Sequence, residues 1–138
     1  MSIRTQFILL LLVLLFCAMA WFAFGKKVKS TSELIADLKS PQEMERVIAV
    51  RLLPERKGDA AQTVPALIDA LKDKENDIRR SAAIGLGSLG DSAKEAIPAL
   101  QAAQSDRDAR VREAAGIALS RIDPTRFTTP SKQPGNEK

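Results

Sequence analysis

Apolar side chains recur in the middle of the chain with the spacing of amphipathic helices. One run follows the i, i+3, i+4, i+7 pattern, which places four apolar side chains on one helix face, and consists of Val64, Leu67, Ile68 and Leu71. A second run with the same periodicity consists of Ile78, Ala82, Gly85, Leu86 and Leu89. Polar residues 72–76 separate the runs, and Gly90 follows the second. The pattern therefore predicts two helices, A and B, joined by a polar turn and ended by a glycine.

This helix pair is repeated 33 residues later, at residues 97–122, where Val111 corresponds to Ile78 and Leu119 to Leu86. The same step backwards finds a weaker first copy, built on Leu34, Ile35, Leu38, Arg46, Ala49 and Leu53. A helix pair repeated at this period indicates a solenoid, in which neighbouring units complete one another's core. We therefore predict an all-α fold over residues 30–123, an α-solenoid of about three antiparallel helix pairs.

The sequence also carries signals for helix starts and for the two ends of the solenoid. Ser30 to Glu33 and Ser92 to Glu95 match the capping box. Pro65 and Pro98 allow two alternatives, a helix that begins just before the proline or one that begins earlier and bends there. In the third copy polar residues replace the apolar pattern, as a terminal unit requires, and these are Gln101 and Gln104. The first copy is expected to close the other end of the solenoid. In its B helix Glu45 replaces the apolar Ile78 of the central copy, and Met44, Val47 and Ile48 shift the apolar face.

Residues 7–24 form an unbroken apolar run of 18 residues ahead of the repeats. As a helix the run would be about 27 Å long, close to the hydrocarbon thickness of a bilayer. Its end has the order typical of a membrane boundary, aromatic and then basic residues, namely Trp21, Phe22, Phe24, Lys26, Lys27 and Lys29. We expect residues 1–29 to be a single-pass anchor in a membrane of the bacterial inner-membrane type, with the side of the domain left open. The alternative is a signal peptide cleaved after Ala20, which would export a soluble protein.

Charge and composition exclude several classes of site. Four basic residues and no acids precede residue 30, so the net charge of +4 belongs to the N-terminal region, and 17 basic and 17 acidic residues follow. There is no His or Tyr, and Cys17 lies in the apolar run. Catalytic triads and His or Cys metal sites lack their side chains, so no catalytic, cofactor or metal site is expected. Residues 124–138 are rich in Pro, Thr and polar residues, which predicts a disordered tail.

Two stretches of the repeats resemble a known family. Residues 64–73 have the sequence VPALIDALKD and residues 78–90 the sequence IRRSAAIGLGSLG. They resemble HEAT repeats, of the short type first described in phycobilisome lyases, and the resemblance covers about residues 31–123. The resemblance implies a ladder, that is, a row of Asp and Arg pairs that connects neighbouring repeats. Each Asp lies in the inter-helix turn, six residues before an Arg of helix B. This spacing is met by Asp73 with Arg79 and by Asp106 with Arg112, whereas Ser40 precedes Arg46. Each Arg is expected to bond its own turn and its neighbour's, which is a structural role.

The resemblance further implies that an unidentified protein partner binds the surface lined by the B helices. Projection at 100° per residue places Arg80, Ile84 and Gly87 opposite the core. With their repeat equivalents and the nearby Arg110, the candidate residues are Val47, Arg51, Arg80, Ile84, Arg110, Glu113, Ile117 and Ser120. We therefore expect a membrane-tethered interaction scaffold without catalysis.

Two other functions are open to the sequence. A chromophore-handling protein similar to the phycobilin lyases would lack the usual ring contacts, since residues 31–122 contain no aromatic side chain. Nucleic-acid binding would use Arg79, Arg80, Arg107, Arg110 and Arg112, but acidic residues interrupt this cluster and weaken its positive potential.

Overall fold

A computed structural model of the chain describes residues 28–127 and Val13. Within this part, six α-helices form three pairs. The first pair is α1 (Thr31–Asp37) with α2 (Glu43–Leu52), the second is α3 (Ala60–Ala70) with α4 (Asn76–Leu89), and the third is α5 (Ile97–Ala103) with α6 (Ala109–Ile122). Short 3₁₀ turns at Leu53–Glu55 and Lys57–Asp59 precede α3, and a 3₁₀ segment at Gly90–Ala96 precedes α5. The all-α class is confirmed, and residues 28–127 contain no strand.

Apart from Val13, the expected anchor at residues 7–24 lies outside the described residues, and so does most of the expected tail. Among the helices that the structure describes, none combines the length and the apolarity needed to cross a membrane. Residues 124–127, at the start of the tail, form a turn in which Phe127 N donates to Asp123 O at 3.0 Å. Phe127 is partly buried against the core, and Arg126 lies 5.2 Å from the centre of its ring.

The helices pack in two layers around one core. The B helices α2, α4 and α6 lie side by side, and each also packs against the A helix of its own pair. The largest fully buried hydrophobic side chains are aliphatic, namely Leu34, Val50, Leu53, Val64, Leu67, Ile78, Leu86, Leu100, Val111, Leu119 and Ile122. Between them the B helices present buried alanines such as Ala82 and Ala115. Small side chains at these positions bring the helix backbones close together, because packing density is kept without large groups between them.

The A helices of the second and third copies start differently. Pro65 lies inside α3, whereas Pro98 occupies the first turn of α5, so each alternative that the prolines allowed is used once. The capping box predicted at Ser92 is wrong, because the cap of α5 is Ala96 and residues 90–96 form 3₁₀ turns that include a non-helical Ala93. Gly90 ends α4 with φ 55°, a conformation that favours glycine. The capping box at Ser30 is confirmed, with Ser30 N donating to Glu33 Oε2 at 2.7 Å.

The two end copies have different outer surfaces. Gln101 and Gln104 of the third copy are exposed, as a closing surface requires. The first copy exposes Met44 by 67%, Ile48 by 45% and Leu52 by 44%. The expectation that this copy closes the other end is therefore wrong, since its B helix turns three aliphatic side chains outward.

Arg79 connects the second repeat to the third. Its Nε and Nη2 donate to the two carboxylate oxygens of Asp106 at 2.8 and 2.9 Å. Its Nη1 donates to the carbonyl oxygens of Asp73 and Lys74, in the turn of its own repeat, at 2.8 and 3.1 Å. The Arg79 side chain is only 6% exposed, and that of Asp106 12%. One guanidinium thus binds its own turn through carbonyls and the next turn through a carboxylate.

Arg46 makes the same set of contacts one repeat earlier. It donates from Nε to Asp73 at 2.9 Å and from Nη1 to Ser40 O at 3.0 Å. The ion pairs therefore join residues 27 positions apart, and Ser40 does not interrupt them because the carboxylate comes from the following repeat. Arg112 in the third copy is exposed and binds only its own turn, with Nη1 2.8 Å from Asp106 O.

Two glycines allow the neighbouring repeats to approach α4 closely. A Cβ on Gly87 would lie 2.9 Å from Ala118 Cα in α6, and a Cβ on Gly85 would lie 2.5 Å from Pro54 Cγ. Gly116 differs, because its nearest neighbour would be Gln104 Nε2 at 3.7 Å, an ordinary contact. Close packing therefore accounts for Gly85 and Gly87 but not for Gly116.

We predict opposite effects for alanine at two glycines inside B helices. Gly87→Ala should lower the free energy of unfolding by about 1–3 kcal/mol, because the methyl group meets the backbone of α6. Gly116→Ala should raise it by about 0.5–1 kcal/mol, because alanine favours the helix and space is present. Urea unfolding of the two variants and the wild type measures both values. Equal effects of the two substitutions would contradict the close approach at Gly87.

We predict that the inter-repeat ion pair makes stability depend on acid pH. The hydrogen bond from Arg79 lowers the pKa of Asp106, although partial burial opposes this shift. Since the folded pKa is depressed, the stabilisation is present above the unfolded value of about 3.9 and is lost as the pH falls through the folded value. Asp106→Asn should cost about 2 kcal/mol at pH 7, and this difference from the wild type should shrink below about pH 4.

Two controls separate the ion pair from other effects. Asp69→Asn removes an exposed carboxylate on α3 that takes part in no ion pair among the described residues, so its difference from the wild type should stay near zero at every pH. Arg112→Met loses only the contacts within one turn and should cost less than Arg79→Met. A difference for Asp106→Asn that persists unchanged at pH 2 would argue against the ion pair as its cause.

Candidate functional site

Six of the seven arginines of the B helices form two groups. Arg46, Arg79 and Arg112 bind the inter-helix turns, as described above. Arg51, Arg80 and Arg121 are exposed and have no hydrogen bond or ion pair among the described residues. The second group has its charge available for a ligand, whereas the guanidinium groups of the first bind the inter-helix turns.

A groove between α4 and α6 is lined by residues of the available group. Its volume is about 260 Å³, and its principal lining residues are Arg80, Ile84, Arg110, Glu113, Ile117 and Arg121. Ile84 and Ile117, which occupy equivalent positions of the second and third repeats, are 45% and 42% exposed. The groove thus combines aliphatic and cationic side chains in contact with water.

A second groove, of about 380 Å³, lies between α2 and α4. It is lined by Arg51, Pro54, Glu55, Arg80, Ile84 and Ser88, among others. Arg80 and Ile84 line both grooves, so the two form a continuous surface, which we call the B-helix surface. Its outward charged residues are Arg51, Glu55, Arg80, Arg110, Glu113 and Arg121.

Arg110 differs from the other arginines of the B-helix surface. Its Nη2 lies 3.3 Å from Asp108 Oδ2 and 3.7 Å from Asp77 Oδ1. The hydrogen bond to Asp108 raises the pKa of Arg110 and lowers that of Asp108, whose carboxylate also accepts a hydrogen bond from Asn76 Nδ2 at 2.6 Å. The charge of Arg110 is therefore largely balanced, and the unbalanced positive charge resides on Arg51, Arg80 and Arg121.

The structure places the predicted surface residues at different depths. Arg51, Arg80, Ile84, Arg110, Glu113 and Ile117 are exposed. Val47 is only partly exposed, because it packs against the core. Ser120 is also partly buried, and its hydroxyl donates to Ile117 O at 2.9 Å. Gly87 is buried against Ala118 rather than presented to solvent.

Sequence reasoning missed Arg121. Its repeat equivalents are Ser88 and Glu55, so no recurring residue type marks the position. The available signal was helical spacing, because Arg121 follows Ile117 by one turn on the same face of α6.

Side chains that could serve other chemistries are engaged or dispersed. Asp73 accepts from Arg46, and Asp77 lies near Arg110. Among the described residues, no group of His, Cys, Asp or Glu is placed to hold a metal ion. Of the five arginines considered for nucleic acid, four bind protein groups through their guanidinium, namely Arg79, Arg107, Arg110 and Arg112.

A further groove lies on the opposite face, between α1 and α3. Its volume of about 330 Å³ exceeds that of the α4–α6 groove, and Ile35, Leu38, Gln62 and Asp69 are among its lining residues. Volume therefore does not distinguish the B-helix surface from this groove. What distinguishes the B-helix surface is the presence of unpaired arginines beside exposed isoleucines.

Comparison with known proteins agrees with this architecture. A family model described as HEAT repeats matches residues 31–122, which is two-thirds of the 138 residues and includes all three helix pairs. A search among curated proteins gives no match. HEAT repeats are typically non-catalytic units that mediate protein interactions. The chain belongs to the HEAT-repeat family.

Proposed function

We propose that the protein is a non-catalytic scaffold that binds a protein partner through the B-helix surface. The observation that supports this is the combination of Ile84 and Ile117 with unpaired arginines on one face. Exposed aliphatic side chains beside free guanidinium groups are typical of the centres of protein interfaces, where arginine is enriched. The stacking of the repeats does not require either group to be there.

The chemistry of this surface favours a partner segment that carries carboxylates and aliphatic side chains. Guanidinium groups bind carboxylates through paired hydrogen bonds, and Arg51, Arg80 and Arg121 have all their donors free for such bonds. The isoleucines between them would contact aliphatic side chains of the same segment. Glu55 and Glu113 would disfavour a uniformly acidic segment, because like charges across an interface are repelled.

We also propose that residues 7–24 tether this scaffold to a membrane. The support is the run of 18 apolar residues, followed by aromatic and basic residues. A tether requires the N-terminal segment to stay attached. We therefore expect the intact mass of the chain isolated from membranes to include residues 1–20, whereas cleavage after Ala20 would leave a shorter chain in the soluble fraction.

The binding surface is tested by site-specific photo-crosslinking in cells that produce the full chain. A photoreactive amino acid at position 84 or 117 should give the same discrete cross-linked protein, because both positions lie in the α4–α6 groove. Arg80→Glu together with Arg121→Glu should lower the yield at least tenfold, which corresponds to a loss of about 1.4 kcal/mol or more in binding.

The exposed Gln101 on α5 offers a matched control position. The photoreactive residue there should capture little of the same protein, since Gln101 lies in the A layer. Circular dichroism of the double variant should match the wild type, because neither arginine is part of the core. Equal capture from positions 84 and 101, or a yield unaffected by the two glutamates, would rule out the B-helix surface as the binding site.

A further inference from the structure

The first repeat has an apolar outer face with nothing stacked on it among the described residues. Met44, Ile48 and Leu52 are spaced four apart on α2, so they lie on one side of that helix. Their exposed fractions are 67%, 45% and 44%. We call these three residues the outer stripe. A solenoid end normally presents polar residues, and the third repeat does so.

In the other repeats, the positions equivalent to Leu52 contact the preceding repeat. Leu52 corresponds to Gly85 and Ala118. Gly85 meets Pro54 of the preceding repeat, and Ala118 meets Gly87. Each contact joins two residues 31 positions apart. Leu52, at the C-terminal end of the outer stripe, therefore lies where a preceding repeat would stack in this solenoid.

The same separation of 31 leads from Leu52 to Trp21, and from Ile48 to Cys17, inside the apolar run. The distance along the chain also fits. α4 ends at Leu89 and α5 begins at Ile97, eight residues later. Eight residues before the start of α1 at Thr31 is position 23, at the end of the apolar run. The run thus precedes α1 by the spacing at which a B helix precedes the next A helix.

The residues at the positions of the inter-repeat ion pairs are also consistent with an apolar segment before the first repeat. The residue equivalent to Arg46 and Arg79 would be Val13, and its partner in the first repeat would be Ser40. Neither residue is charged, so the ion pair is missing on both sides. An aspartate at position 40 would have faced an apolar segment without a counterion, which is costly.

The chain enters the domain close enough for the segment to reach the outer stripe. Arg56 Nη2 donates to Lys29 O at 2.9 Å, and Lys29 Nζ lies 2.6 Å from Asp37 Oδ2. Lys29 is therefore fixed near the C-terminal end of α2, where Leu52 lies. Trp21 is eight residues earlier and can extend up to about 28 Å from Lys29, whereas α2 is only about 15 Å long.

We propose that the outer stripe is a docking site for the chain's own apolar N-terminal segment. Residues 10–23 take the place of a preceding B helix, with Trp21 against Leu52 and Cys17 beside Ile48, whenever the segment is outside a bilayer. Docking covers only one side of a segment that is apolar all round. A bilayer covers every side, so lipid competes with the outer stripe for these residues. This inference goes beyond the proposed scaffold function and does not depend on the B-helix surface.

Cross-linking of the full chain tests the docking. Cys17 is the only cysteine, so Ile48→Cys creates a single pair of thiols. In lipid-free buffer, a short bismaleimide should join positions 17 and 48 within one chain in most molecules, as measured by mass spectrometry of the digested protein. Adding Leu52→Glu should reduce that product at least fivefold, because a carboxylate would be placed against Trp21.

Ile117→Cys is the matched control, since Ile117 is 42% exposed and Ile48 45%, but Ile117 lies on the third repeat. It should give no intramolecular product with Cys17. Absence of the 17–48 product, although a monofunctional maleimide labels both thiols, would overturn the proposal. A product between two chains would overturn it in favour of a second copy on the outer stripe.

Phosphatidylcholine vesicles separate this proposal from the membrane tether. Loss of the 17–48 product on addition of vesicles would support both, because the segment would have moved into lipid. Retention of the product with vesicles present would support the docking and contradict the tether.

Discussion

The four hydrogen bonds of the Arg79 guanidinium fix the second repeat relative to the third. Burial of the aliphatic core drives the helices together, but it has no direction and would allow one repeat to slide along the next. The planar guanidinium has a direction, because its donors must meet the Asp106 carboxylate on one side and two carbonyls of its own turn on the other. Arg46 applies the same constraint one repeat earlier. The recurring contacts between neighbouring repeats, Pro54 with Gly85 and Gly87 with Ala118, follow from this fixed offset.

Small side chains set the distance between the B helices once the offset is fixed. Glycine in a helix interior costs about 1 kcal/mol relative to alanine, so Gly85 and Gly87 weaken α4 as an isolated helix. This cost is offset by packing, because the absence of a side chain lets the neighbouring repeats come within van der Waals contact of the α4 backbone. The core of residues 31–122 has no aromatic side chain to span a wider gap, which makes this close approach a requirement. The outer stripe carries large aliphatic residues at the equivalent positions, so whatever covers it must lie farther from α2 than α2 lies from α4.

Helical periodicity and the 33-residue repeat were enough to predict the helix pairs, because the same apolar positions recur in three copies. They were not enough to identify the partner of each ladder arginine. The spacing between Asp73 and Arg79 is a distance within one repeat, whereas the ion pair forms across the stacking of two repeats, as with Arg79 and Asp106. The buried position of Gly87 was missed for a related reason. A projection around one helix locates the core of its own pair but not the neighbouring B helix.

Comparison of equivalent positions within the chain separates residues that build the scaffold from residues that do not. The ladder position is arginine in all three repeats, at Arg46, Arg79 and Arg112. The outward positions change from repeat to repeat, from Glu55 through Ser88 to Arg121, and from Arg51 to isoleucine in the next two copies. The stacking of the repeats requires the recurring arginine but does not constrain the outward residues. The B-helix surface therefore has a direction along the solenoid, with Glu55 at the first repeat and Arg121 at the third. A charged partner segment would gain more from one orientation on this surface than from the reverse, since like charges opposite each other are unfavourable.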